Sequence, residues 1–98
     1  MTNVPSTSWL IPADEPVTLT VIRLPENRMQ VVMVTWTDCW ALNGLYEDVH
    51  VLFQRSATAY IANLFCCRLR AKPSPSHLRR LHKAVDAVKE WSQQHETR

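Results

Sequence analysis

The sequence predicts an α+β fold, and three observations carry that prediction. Residues 17–24 and 30–37 read as two strands joined by turn chemistry, residues 43–70 are proline-free and rich in large apolar side chains, and residues 75–91 repeat apolar positions at helical spacing. Together they describe an antiparallel β-hairpin or small sheet packed against one long apolar helix and a C-terminal amphipathic helix.

Taken in order, residues 1–16 carry prolines at 5, 12 and 16 among small polar residues, which favours an extended N-terminal arm over regular structure. Trp9, Leu10 and Ile11 are the exception, an apolar triplet expected to fold back onto its own domain. In residues 17–24, Thr18 and Thr20 alternate with Val17, Leu19 and Val21, the pattern of a half-buried strand. Pro25, Glu26, Asn27 and Arg28 then supply a turn. Residues 30–37 are apolar on both alternating sets, Val32, Val34 and Trp36 on one and Val31 and Met33 on the other, so a strand covered on both faces is expected. Because an isolated hairpin is marginal in water, these strands need helices or further strands, from this chain or from a second copy.

Thr37, Asp38, Cys39 and Trp40 break the strand pattern. They read as a turn in which Thr37 or Asp38 caps the next element, with Trp36 and Trp40 as a candidate aromatic contact surface for a partner. From Asn43 onward, Leu45, Val49, Leu52, Phe53, Ala57, Tyr60, Ile61, Leu64 and Phe65 fall into one stripe at helical spacing. Glu47 and Asp48 in the first turn and Arg68 and Arg70 in the last would suit the helix dipole, and Asn43 would cap the start. The competing reading takes Asn43-Gly44 as a hairpin signal and Val49, Val51 and Phe53 as a third strand, followed by a shorter helix from Ser56. A continuous helix of this length would span ~40 Å, more than its own domain covers. Self-association as a homodimer, through that helix or through the strands, is therefore expected.

The prolines at 73 and 75 end the run. Ser74 caps a new helix with Pro75 at its first position, and Leu78, Leu81, Val85, Val88 and Trp91 form its apolar stripe, to be packed on the sheet or on the long helix. Residues 95–98 should fray, which leaves 17–94 as a single domain.

Composition narrows the function. A net charge of +2 over 98 residues points neither toward nucleic acid nor away from it. Three cysteines, two of them adjacent, do not make a disulfide framework, which suits a reducing cytoplasm. The start of the chain lacks the basic-then-apolar pattern of a secretory signal, and Gln54, Arg55 and Asn63 interrupt the most apolar stretch, which argues against a membrane span. With one glycine in the chain, no glycine-rich phosphate loop is readable. Cys39, His50, Cys66, Cys67, His77 and His82 show no zinc spacing, so no metal and no cofactor is expected. Paired carboxylates and an activated nucleophile are equally absent as motifs, and the expectation is a protein that is not an enzyme.

The feature left is charge. Arg68, Arg70, Lys72, Arg79, Arg80 and Lys83, with His77 and His82, occur without an acidic residue among them. Arg79, Arg80 and Lys83 occupy the first half of the last helix and Asp86 and Glu90 the second, the reverse of the dipole's preference. The solvated reading pairs these cations with Glu47, Asp48, Asp86 or Glu90. The functional reading makes residues 68–83 a basic patch for an acidic protein partner, or alternatively for nucleic acid. The sequence thus describes a small accessory protein that acts by binding.

Overall fold

The computed structural model describes residues 5–44, 49–67, 69 and 71–96. Four strands, β1 (Ser6–Ile11), β2 (Val17–Leu24), β3 (Arg28–Val34) and β4 (Cys39–Gly44), precede three helices, α1 (Val49–Arg55), α2 (Thr58–Cys66) and α3 (Pro75–Glu96). The strands form one antiparallel sheet in the order β1-β2-β3-β4. All three helices lie on one side of it, giving an α+β fold.

Strand formation follows the alternation. Val17, Leu19 and Val21 point into the core from β2, and Met29, Val31 and Met33 do so from β3. Glu26 and Asn27 turn the chain between them with left-handed φ of 65° and 60°, which lets Leu24 pair directly with Arg28. Asparagine tolerates that region, because its short polar side chain finds local hydrogen bonds.

Three expectations are corrected here. Residues 6–11, read as an arm without regular structure, are a sheet strand, with Ile11 buried and Trp9 packed against the core. Pairing along all of β1 with residues 17–22 supplies backbone hydrogen bonds that the prolines at 5 and 12 flank without interrupting. Second, Thr37 and Asp38 do not cap a helix, and neither does Asn43. The chain re-enters the sheet as β4 before Asn43 and Gly44, whose place is the end of that strand. Third, β3 is not covered on both faces: Val31 and Met33 are buried, but Val34 is exposed, and no described element packs on that side.

The long helix over 43–70 is also corrected. Leu45, Tyr46, Glu47, Asp48, Arg68 and Arg70 lie outside the described residues, and between them the chain forms two helices. Ala57 is extended at φ −69° and ψ 150°, which ends α1 and starts α2 without a proline or glycine. The break is held by α3. Gln54 Nε2 donates to the Ser92 carbonyl at 2.8 Å, Lys89 Nζ to the Ser56 carbonyl, and Thr58 Oγ1 to the Asp86 carboxylate. Divided in this way, α1 buries Val49, Leu52 and Phe53 and α2 buries Ile61, Ala62 and Phe65, each helix at its own angle against α3. Val49–Phe53 is helical, so the competing third strand is overturned as well.

Helix α3 begins as its sequence predicts. Ser74 Oγ accepts the His77 N–H at 3.2 Å and its carbonyl accepts the Leu78 N–H at 3.0 Å, with Pro75 at the first helical position. The helix buries Leu81, Ala84, Val85, Val88 and Trp91, and runs through Glu96, into the stretch expected to fray.

Strand register decides where α3 lies. Trp9, Leu19, Met33 and Trp40 are paired neighbours and form one row across all four strands on the inner face. The Trp40 indole Nε1–H donates to His77 Nε2 at 2.8 Å near the start of α3, and Trp91, near its end, packs tilted at 54° against Trp9 with ring centroids 5.2 Å apart. The ~21 Å of helix between His77 and Trp91 thus crosses the ~14 Å between the outermost strands, with a tryptophan at each rim. The opposite face of the sheet presents three further rows, Leu10-Thr18-Val34-Cys39, Ser8-Thr20-Val32-Ala41 and Ser6-Ile22-Gln30-Asn43, and the pair Leu24-Arg28 at the end of the β2–β3 hairpin.

Two substitutions test this packing by urea denaturation. Leu81→Ala, at a fully buried site beneath the helix, should cost about 2–5 kcal/mol. Ser92 is also fully buried, and its Oγ finds no hydrogen-bond partner among the described residues. Ser92→Ala should therefore raise stability by about 1 kcal/mol, and a loss would show that the hydroxyl is satisfied.

Candidate partner-binding surface

The start of α3 is locked to the sheet by a chain of polar contacts. Thr35 and Asp38 close the β3–β4 turn, the Thr35 N–H donating to the Asp38 carbonyl at 2.9 Å and the Asp38 N–H to Thr35 Oγ1 at 3.1 Å. The turn places the Asp38 carboxylate toward α3, where Arg80 donates from Nε at 2.7 Å and from Nη2 at 3.3 Å. This two-pronged geometry fits the planar guanidinium to the carboxylate. Asp38 is the better shielded partner, its side chain 12% exposed against 42% for Arg80. From the β1–β2 loop, Glu15 Oε1 accepts from the Thr37 N–H at 3.2 Å and from Thr37 Oγ1 at 3.0 Å.

These contacts set the local titration. The Arg80 hydrogen bond outweighs desolvation and, with Thr37 and the positive charge of Arg80, holds the Asp38 carboxyl below its ordinary value. Desolvation pushes the Glu15 carboxyl up, but the hydrogen bonds from Thr37, Thr35 and the Trp36 backbone together carry it below its ordinary value. Arg80 shifts upward for the reciprocal reason, chiefly its bond to Asp38.

The six residues expected to form the basic patch are not alike. Arg68 and Arg70 lie outside the described residues, and Arg80 is committed to Asp38, a residue that sequence spacing places only in a turn. Arg79 and Lys83 are exposed, one helical turn apart, and neither has a carboxylate within ion-pair distance among the described residues. Lys72 is exposed in the connector. Like charges spaced four apart on a helix repel, so this arrangement works slightly against α3 itself.

Two shallow clefts of about 370 Å³ meet at Leu78 beside these cations. One is lined by Leu69, Ala71, Pro73 and Leu78 with Lys72, Cys66 and Cys67, the other by Leu78, Arg79, His82, Lys83 and Asp86. Burial, with some help from Cys67, pushes the Cys66 thiol up, which makes it a poor nucleophile. A larger cleft of about 460 Å³ between the β1–β2 loop and α3 mixes Asp14, Glu15, Asp86 and Glu90 with Arg80 and Lys83. Its charges oppose one another, and it selects no one sign of ligand. Among the described residues no three His, Cys, Asp or Glu side chains are grouped to hold a metal ion. Cys39, Cys66 and Cys67 are free thiols.

The aromatic pair is divided. Trp36 is 78% exposed at the β3–β4 turn, whereas Trp40 is 2% exposed and bonded to His77, so the two do not form a surface cluster. The inner-row register turns Trp40 inward, a fact that sequence spacing alone does not carry. Among the described residues, no helix is long and apolar enough to cross a membrane. Compared with models of protein families, with curated proteins and with solved structures, the chain matches none.

The Asp38 shift has a pH consequence. A carboxylate whose value is depressed by folding contributes stability that is complete above the ordinary aspartate value, ~3.9, and is lost as pH falls through the depressed one. Urea midpoints followed from pH 5 downward should fall more steeply in the native chain than in Asp38→Asn. Parallel curves would show that the pair adds nothing.

Proposed function

We propose that this chain is a small accessory protein of the reducing cytoplasm, without catalytic activity, that works by binding an acidic protein segment on the first half of α3. The observation that carries the reading is the pair Arg79 and Lys83, exposed, four residues apart on α3 and without a carboxylate partner among the described residues. A charge order that disfavours the isolated helix is explained when an anion settles against it.

The clefts at Leu78 refine the partner. Their walls combine Leu69, Pro73 and Leu78 with Lys72, Arg79 and Lys83, which suits a peptide carrying carboxylates beside an apolar side chain. The alternative, nucleic acid, asks more of the surface. Strong binding to a phosphate backbone uses about 6–10 contacts, and with Arg80 held by Asp38 the described patch offers Lys72, Arg79 and Lys83.

Fluorescence anisotropy decides between the two, with an acidic peptide of alternating glutamate and leucine and a labelled DNA duplex as probes. The peptide should bind in a salt-sensitive manner, and Arg79→Glu with Lys83→Glu should weaken it at least about tenfold, the loss of roughly 1.4 kcal/mol, with an unchanged circular dichroism spectrum. Tighter binding of the duplex, lost in the same variant, would move the assignment to nucleic acid. Unchanged peptide binding would remove α3 from it.

A further inference from the structure

We infer that the outer face of the sheet is the interface of a weak homodimer in which two copies stack sheet on sheet. This goes beyond the reading of α3 and does not rest on it. The three outer rows, four residues each, contain no charged side chain. A soluble surface is ordinarily about 25–35% charged, so three full rows without charge, with Arg28 beside them at the hairpin end as the one charged strand residue of this face, need a reason. Its polar groups are hydroxyls and amides, and two of them, Ser8 Oγ and Thr20 Oγ1, already bond each other at 2.9 Å across β1 and β2.

The low charge of these rows favours a second copy as the occupant. In a twofold interface each surface meets itself, so a cluster of one sign near the axis faces the same sign. A different partner imposes no such limit, because it can match each charge with its opposite. A neutral face of short hydroxyl and β-branched side chains suits a second copy, and small residues such as Ser8 and Ala41 let two sheets approach to the usual ~10 Å.

Apolar weight collects at one end of this face. Of the five exposed large hydrophobic residues among those described, Leu10 (72%), Val34 (40%) and Trp36 (78%) belong to it or to the turn beside it. Four strands of about six residues make a plane of ~20 by ~20 Å, or roughly 400 Å². A standard interface buries ~800 Å² per partner. Even with Leu10 and Trp36 added at the rim, the footprint is at the small end, so the dimer forms and dissociates with concentration. The expectation of self-association through the strands thereby acquires a defined surface.

Sedimentation velocity of the full chain, from low micromolar to near-millimolar concentration, tests the proposal. The average mass should rise from the monomer's 11.3 kDa toward twice that value. Maleimide labelling supplies a second reading, because Cys39 is exposed on this face and Cys67 is exposed at the end of α2. Labelling of Cys39 should slow as concentration rises while that of Cys67 does not. Thr20→Lys places a charge at the middle of the face, away from both sheet edges, and should leave a monomer. Should that variant misfold by circular dichroism, Val34→Lys, at an exposed position, asks the same question. A chain that stays monomeric throughout, or a dimer that persists in the folded variant with Cys39 labelled at a constant rate, overturns the proposal.

Discussion

The structure depends on one packing contact, that of α3 along the inner row of Trp9, Leu19, Met33 and Trp40. A four-stranded meander on its own leaves its apolar side in water, and a lone amphipathic helix of this length is marginal. Each therefore needs the other. Leu81, Ala84, Val85 and Val88 supply the buried stripe, and a tryptophan at either rim closes it, Trp40 bonded to His77 and Trp91 against Trp9. His77 accepts that bond only with Nε2 unprotonated, since a protonated nitrogen would have no lone pair to offer. The Asp38–Arg80 pair then holds the same helix end from the side of the β3–β4 turn.

Once α3 is placed, the shape of the preceding segment is constrained. Residues 49–66 must cover the rest of the inner face and also touch α3, and one straight rod does not meet both conditions on so small a sheet. The chain bends at Ser56 and Ala57, and the two short helices that result each bury an apolar cluster. Lys89, Asp86 and the Ser92 carbonyl, all on α3, receive or supply the polar contacts that the bend leaves open. The surface that a long helix would have offered to a second copy does not arise, and three uncharged rows of the sheet remain uncovered.

The molecule therefore has two sides of different chemistry. The helical side carries most of the charge, with exposed cations beside shallow apolar clefts. The sheet side carries none across three rows of paired residues, with Arg28 beyond them at the hairpin end. A contact on one leaves the other open, so a self-associating sheet and a partner-binding helix are compatible within one small domain. Two copies stacked through their sheets would present two α3 faces outward, which strengthens attachment to a partner with repeated acidic segments.

What the sequence determined by itself was local. Alternation in β2, a second strand after the turn, the Ser74-Pro75 start of α3 and its apolar stripe were legible because each rests on side chains within a few residues of one another, acting through backbone geometry that repeats. The cationic half of α3 was legible for the same reason, although which of its residues stay available was not. Tertiary structure decided the rest. The bend at Ala57 has no proline or glycine to announce it, because its cause is α3, some thirty residues later. Arg80 is taken by Asp38 across 42 positions of sequence, and Trp40 is separated from Trp36 by a turn that sends one ring inward and leaves the other in water. Strand register, fixed by the packing of the whole inner face, brings such distant residues together, and no pattern read along the chain contains it.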